Sequence, residues 1–333
     1  MITVNSKSVL PYINTHPLIE STELSAICGH YVIPLSLMIA DWPMVLESLK
    51  SGSTVAVEKT DEGIETLWHI IKNPTYYPWI LKKSLRFITS SDADNVICNL
   101  NAEHFLRATI GSNSVSDIQY TDHRPYTFLF TNRKMRSHRR YLITTLRKSG
   151  LLDSALWSCL HQHSTQGHPE ITRIYSPDTN MPLKTLDPAY DPAPTDWIDG
   201  IIHPLQYQHT WFTLVSETGF EYPYSFRTEK VWKPILAGHP FIVCANQGFY
   251  RDFRNLGFRT FNHLIDESFD SIIDGKERLD MLIATVKWLC NQDLQKFWKE
   301  SRDICLYNQH RALELHNSLE KDFTLKFLDF MHA

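Results

Sequence analysis

The sequence predicts an α/β fold: two domains, each on a mostly parallel sheet, followed by a helical C-terminal segment. Three observations carry this. Short apolar runs alternate with segments of helical period in both halves of the chain, the pattern of βαβ units. A polar, turn-rich stretch at 111–125 separates the two alternating regions. From Lys276 to Phe330 the strand patterns cease and helical spacing takes over. A length of 333 residues suits two domains. They are placed at 1–120 and 121–285, with helices over 286–333 that can pack back on the first domain.

In the N-terminal region, 31–40 is a short apolar run and Ser53–Glu58 is a strand ending in an acidic turn. Gly63–Lys72 has helical spacing at Ile64, Leu67, Trp68 and Ile71, and Leu85–Thr89 is a further strand. After the polar stretch comes a clean βα unit. Tyr126–Phe130 is a strand and Thr131–Met135 a turn, and Ser137 can cap a helix bearing Tyr141, Leu142, Thr145 and Leu146 on one face. Gly150 stops that helix, and Leu151–Leu160 resumes an apolar pattern. Residues 169–204 hold seven prolines. So long an irregular excursion is either functional or a wrap over a sheet edge. Strands are predicted again at Trp211–Val215, Phe241–Ala245 and Phe258–Phe261, with a helix at Phe249–Leu256. Leu279, Leu282, Ile283, Val286 and Leu289 form a core-facing stripe near the C-terminus.

Composition excludes several classes. The formal net charge of −4 gives no overall pull toward nucleic acid or an anionic membrane, although local patches still can. Six scattered cysteines without a Cys-x-x-Cys pair suit reduced thiols, not a disulfide framework or a zinc site. No apolar run reaches bilayer length, and the first residues lack a signal-peptide core. A cytoplasmic location is expected, without membrane association. There is no Gly-x-Gly-x-x-Gly and no P-loop, which argues against nicotinamide and ATPase chemistry.

The chemistry-bearing residues gather in two places. An apolar strand ends at Glu217, and Thr228-Glu229-Lys230 then opens an amphipathic helix. The first N–H groups of a helix lack partners, so its start is an anion site, where an acid can take ribose hydroxyls and an amine can neutralise phosphate. The competing reading makes Thr228 an N-cap and Glu229 a first-turn acid favoured by the helix dipole. The second place is Asn132–Arg140, with five Arg or Lys residues and one His between a strand and a helix. Arginine forks match phosphate oxygens in pairs. The alternatives are a solvated basic face or a DNA-backbone contact, for which Lys82–Arg86 is a second basic stretch.

Thr228-Glu229-Lys230-Val231-Trp232-Lys233-Pro234, with the flanking strands and Leu256–Phe261, resembles the donor-binding half of GT-B-type glycosyltransferases. The nearest likeness is to phage and bacterial members sharing a Thr-Glu-Lys-x-Trp-Lys-Pro signature, and more distantly to fucosyltransferases. It covers roughly residues 125–285. The resemblance implies two Rossmann-like domains with a donor cleft between them. It implies transfer of a sugar from a nucleoside diphosphate, a UDP-sugar foremost, to an acceptor hydroxyl. No cofactor or metal is implied.

By the same resemblance Arg136, His138 and Arg139, with Arg133 behind them, face the donor phosphates. Glu229 takes ribose or sugar hydroxyls, Lys230 and Thr228 serve phosphate, and Glu217 is placed for donor hydroxyls. Asp266 and Glu267 either contact nucleotide or cap the next helix, and Trp232 is core or a stacking platform. An inverting transferase needs a general base, with Asp41, Asp92 and Asp94 the candidates near strand ends. The histidines at 161, 163 and 168 lack the partners of a metal site. Two acceptors fit, a hydroxymethylated pyrimidine in phage DNA (the location then being the host cytoplasm) or a glycan, lipid-linked sugar or small metabolite. A non-catalytic sugar-nucleotide-binding protein is the other class.

Overall fold

The computed structural model describes residues 2–4, 19–20, 29–60, 64–89, 91–92, 99–101, 103–112, 118–161, 184, 189 and 200–332. The protein is mixed α/β, with parallel sheets and a helical C-terminus. It divides into two compact units, Met1–His104 with Glu314–Ala333, and Phe105–Leu313.

The described strands of the first unit are β1 (Ile2–Val4), β2 (Ile19–Glu20), β3 (His30–Pro34), β4 (Thr54–Lys59), β5 (Leu85–Thr89) and β6 (Asn99–Asn101). They form one parallel sheet in the order β2-β1-β3-β4-β5-β6. The runs Tyr31–Ile33, Val55–Val57 and Leu85–Ile88 are buried without alternation, as strands covered on both faces must be. Helices α1 (Leu35–Ala40) and α2 (Trp42–Lys50) follow β3, and α3 (Ile64–Lys72) and α4 (Tyr77–Leu81) link β4 to β5. The end of the last helix covers this sheet. Phe323, Phe327 and Met331, one helical turn apart, pack with Ile2, Val4, Val32, Ala56 and Ile88, all fully buried. Each of these side chains larger than alanine contributes about 2 kcal/mol.

The second unit begins within α5 (His104–Gly111) and carries β7 (Tyr126–Lys134), β8 (Leu156–His161), β9 (Thr210–Ser216) and β10 (Phe241–Cys244). All pair in parallel, in the order β10-β9-β7-β8. Helix α6 (Ser137–Lys148) follows β7, a short α7 (Pro204–Gln208) precedes β9, and α8 (Glu229–Leu236) joins β9 to β10. Then come α9 (Phe249–Asn255), α10 (Gly275–Cys290) and α11 (Leu294–His332). The predicted stripe Leu279, Leu282, Ile283, Val286 and Leu289 is buried on α10.

Helix α8 stops cleanly. Gly238 adopts φ +63, and the amides of Gly238 and His239 donate back to the carbonyls of Ile235 and Pro234. This double bond pattern satisfies the last carbonyls and needs a left-handed residue, which glycine supplies.

Two expectations fail locally. Phe258–Phe261 is not a strand. Phe258 and Phe261 are buried, but the amides of Arg259 and Phe261 go to the side chains of Asn308 and Glu267 and not to a sheet neighbour. The expected turn at Thr131–Met135 is largely strand, because β7 keeps pairing with β8 as far as Lys134. Most of the excursion at 169–204 lies outside the described residues.

Candidate functional site

Strand order decides where this unit can hold a ligand. From β7 the chain moves outward to β8, then returns to place β9 on the other side of β7 and continues outward to β10. Right-handed crossovers therefore put α6 and α8 on opposite faces. The carboxyl ends of β7 and β9 are the switch point, the place where open α/β sheets take ligands. Both chemistry-bearing segments of the sequence issue from these two strand ends.

Glu217 joins them. Its amide continues the ladder to the carbonyl of Cys244 on β10. Its carbonyl accepts from His138 Nε2 at 2.9 Å, and the neighbouring carbonyl of Ser216 accepts from Arg139 Nη2 at 2.9 Å. The first turn of α6 is thereby stitched to the end of β9. The Glu217 carboxylate points the other way, to α8. It accepts from Thr228 N at 3.0 Å, Thr228 Oγ1 at 2.6 Å and Thr218 N at 3.2 Å. Glu217 is fully buried. Burial pushes its carboxyl above the ordinary range, with Lys230 and the Thr228 hydroxyl pulling back. It was expected at donor hydroxyls; here both carboxylate oxygens hold the loop and the cap of α8.

Thr228 is the N-cap of α8, its hydroxyl accepting from Lys230 N at 3.3 Å. Lys230 Nζ donates to Glu229 Oε1 at 2.6 Å and to Thr228 Oγ1 at 3.2 Å. An ammonium has three donors, so these two bonds leave one without an acceptor among the described residues. The lysine side chain is 21% exposed and that of Glu229 only 9%. Burial alone raises the Glu229 carboxyl, but Lys230 and Lys233 outweigh it and hold it below the usual value. The start of α8 thus presents one partly open cation, backed by a carboxylate and by the positive end of the helix dipole.

On the β7 side, Arg133 lies on the strand itself and Arg136 is the N-cap of α6, both half-buried. His138 and Arg139 are buried within that first turn. His138 stacks on Phe220 at 5.0 Å, and Arg278 of α10 lies 4.3 Å from the same ring while donating to the Phe220 carbonyl at 2.9 Å. Burial first, then Arg139, keeps His138 well below its ordinary pKa, so the ring is neutral and donates through Nε2. His138 and Arg139 therefore each donate to a backbone carbonyl at the end of β9, and Arg133 and Arg136 are the less buried pair.

Sequence reasoning missed Asn132. It is 3% exposed at the end of β7, and neither atom of its carboxamide meets a partner among the described residues. Lying in a predicted turn, it gave no signal of burial. Arg278 was missed because it reaches the carbonyl of Phe220 from 58 residues along the chain.

The other candidates settle as follows. Asp41 caps α2, accepting from Met44 N at 3.3 Å. Asp92 accepts from Asn101 Nδ2 at 2.8 Å. Asp94 lies outside the described residues, as do His163 and His168. Asp266 caps the turn at Ser268, Glu267 is engaged by Phe261 N and Arg254, and Trp232 is fully buried core. Among the described residues no group of three His, Cys, Asp or Glu is arranged to hold a metal ion, and no helix is long and apolar enough to cross a membrane. A cavity of about 280 Å³ opens between α10 and α11 beside Trp288 and Phe297, and none of the candidate residues lines it.

No protein-family profile matches the chain, and no curated protein matches it. Among solved structures, the crystal structure of an α1,3-fucosyltransferase is similar at a TM-score of 0.31 with 8% sequence identity, covering 91% of this chain and 93% of that one.

Proposed function

We propose that the protein is a glycosyltransferase whose nucleoside diphosphate sugar sits at the carboxyl ends of β7 and β9. The observation that carries this reading is the convergence of two helix starts on Glu217 at the switch point, one with Lys230 and one with Arg136. As the bond to the sugar breaks, charge builds on the departing diphosphate. A fixed ammonium, a guanidinium and a helix dipole aimed at that charge stabilise it without reorganising, and one lost donor of this kind costs about 10²–10³ in rate. Glu229, pinned beside Lys230, accepts from ribose or sugar hydroxyls.

A carboxylate takes the proton from the acceptor hydroxyl, with Asp41, Asp92 and Asp94 its candidates. The GT-B arrangement belongs to the same proposal. A glycan, lipid-linked sugar or small metabolite is the acceptor favoured over DNA. Arg86 is buried with its guanidinium on the carbonyls of Lys83 and Phe330, which leaves the 82–86 stretch with two exposed lysines.

The test is release of nucleoside diphosphate from UDP-, GDP- and dTDP-sugars, and of CMP from CMP-sugars, with and without acceptor panels. Turnover with one donor, lost in Lys230→Met, supports the reading. Donor binding with no hydrolysis or transfer points to a binding protein on the same fold.

A further inference from the structure

Helix α4 carries on its outer face side chains that a covered helix would hide. Tyr77 is 47% exposed and Leu81 64% exposed. Spaced i, i+4, they stand one above the other on the same face. Tyr76 and Trp79 are half-buried beside them, Tyr76 packing edge-on against Trp42 at 4.6 Å. Lys82 and Lys83 follow at once, both exposed, with Lys82 Nζ 5.0 Å from the Trp79 ring. On α2, whose Trp42 meets Tyr76, the acid Glu47 is already paired with Lys50 at 2.9 Å.

Lys83 has φ +57. It stands where α4 ends, its amide donating to the carbonyl of Ile80 and that of Ser84 to the carbonyl of Trp79. That motif normally takes glycine, since a β-carbon is strained in the left-handed region. A strained lysine at an exposed tip points to a use for its charge.

We propose that this corner of the N-terminal unit docks on an anionic lipid bilayer. Tyr77 and Leu81 enter the headgroup boundary, and Lys82 and Lys83 meet lipid phosphates. Tyrosine, tryptophan and lysine around an apolar tip are the composition of interfacial anchors. A nucleic acid would also attract the lysines, but the most exposed large apolar side chain of the patch is an aliphatic leucine with nothing to pair there, and the neighbouring Arg86 faces inward. The net charge of −4 does not oppose the contact, because charges beyond a Debye length are screened. This surface stands independently of the transfer reading.

The experiment is flotation of the intact protein with phosphatidylcholine vesicles, with and without phosphatidylglycerol. The wild type is expected to float with the anionic vesicles and to be released by salt. Each lysine near such a surface is worth about fivefold in partitioning. Lys83→Gly should lose that factor while keeping the fold, because glycine relieves the strained backbone, and Leu81→Ser should weaken flotation further. Failure of the wild type to float overturns the proposal, as does undiminished flotation of the Leu81→Ser/Lys83→Gly double variant, with folding checked by circular dichroism. Salt-sensitive retention on duplex DNA without vesicle binding would make the patch a nucleic-acid face and likewise overturn it.

Discussion

Replacing Lys230 by methionine separates structure from ligand binding at the start of α8. The ammonium lies 2.6 Å from Glu229 Oε1 and 3.2 Å from Thr228 Oγ1. Its removal strands a carboxylate that is only 9% exposed. Breaking a fully buried pair costs roughly 3–5 kcal/mol, and an exposed one about 0–1 kcal/mol. With the lysine 21% exposed, a loss of about 2–3 kcal/mol in unfolding free energy is expected. Adding Glu229→Gln neutralises the stranded acid and should recover most of that loss. Donor affinity should not recover, because a charge-assisted hydrogen bond to phosphate is worth about 1.5–3 kcal/mol, on the order of 10- to 150-fold. Denaturant unfolding gives the first quantity and titration calorimetry with the productive donor gives the second. If the double variant binds donor as the wild type does, Lys230 and Glu229 serve only each other and the proposed site is refuted.

Other outcomes follow from the same contacts. Thr228→Val removes the cap and a hydroxyl donor to buried Glu217, and should cost about 2–4 kcal/mol by denaturant unfolding. Phe327→Ala empties a fully buried position on the first sheet and should cost about 3–5 kcal/mol. The buried rings of His138 and His239 stay neutral, His239 held down to about 3, chiefly by burial. Their folded values lie below the unfolded value of 6.5, so stability is lost as pH falls through 6.5, at about 1.4 kcal/mol per pH unit for each ring. Glu217 has the opposite sign. Its raised value adds stability fully present below 4.5 and lost as pH rises through the folded value. Glu217→Gln should therefore steepen the net acid loss just above pH 4.5, measured by unfolding across pH.

Much of the fold was legible because its signals are local. β-Branched runs such as Thr54–Lys59 and Thr210–Ser216 declare buried strands, and the spacing of Leu279 to Leu289 declares a buried helix face. Thr228 as a cap followed from its place before an amphipathic run. What stayed hidden depends on partners far along the chain. Arg139 and His138 looked like phosphate ligands in a basic run, yet they bond carbonyls 77 and 79 residues away. Glu217 is expected from the sequence to face donor hydroxyls, but the loop that returns to Thr228 buries it. Phe258–Phe261 has the composition of a strand, but side chains of Asn308 and Glu267 take the amides that a neighbouring strand would need. Arg86 lies in the predicted strand Leu85–Thr89, but nothing in the local sequence shows that it turns inward to the carbonyl of Phe330.

Hydrogen exchange with and without a nucleoside diphosphate sugar tests donor seating most directly. New protection is expected at the amides of 216–231 and 133–140, where the two helix starts meet on Glu217. Protection confined to the α10–α11 cavity, or none in either segment with the ligand at saturation, would contradict it.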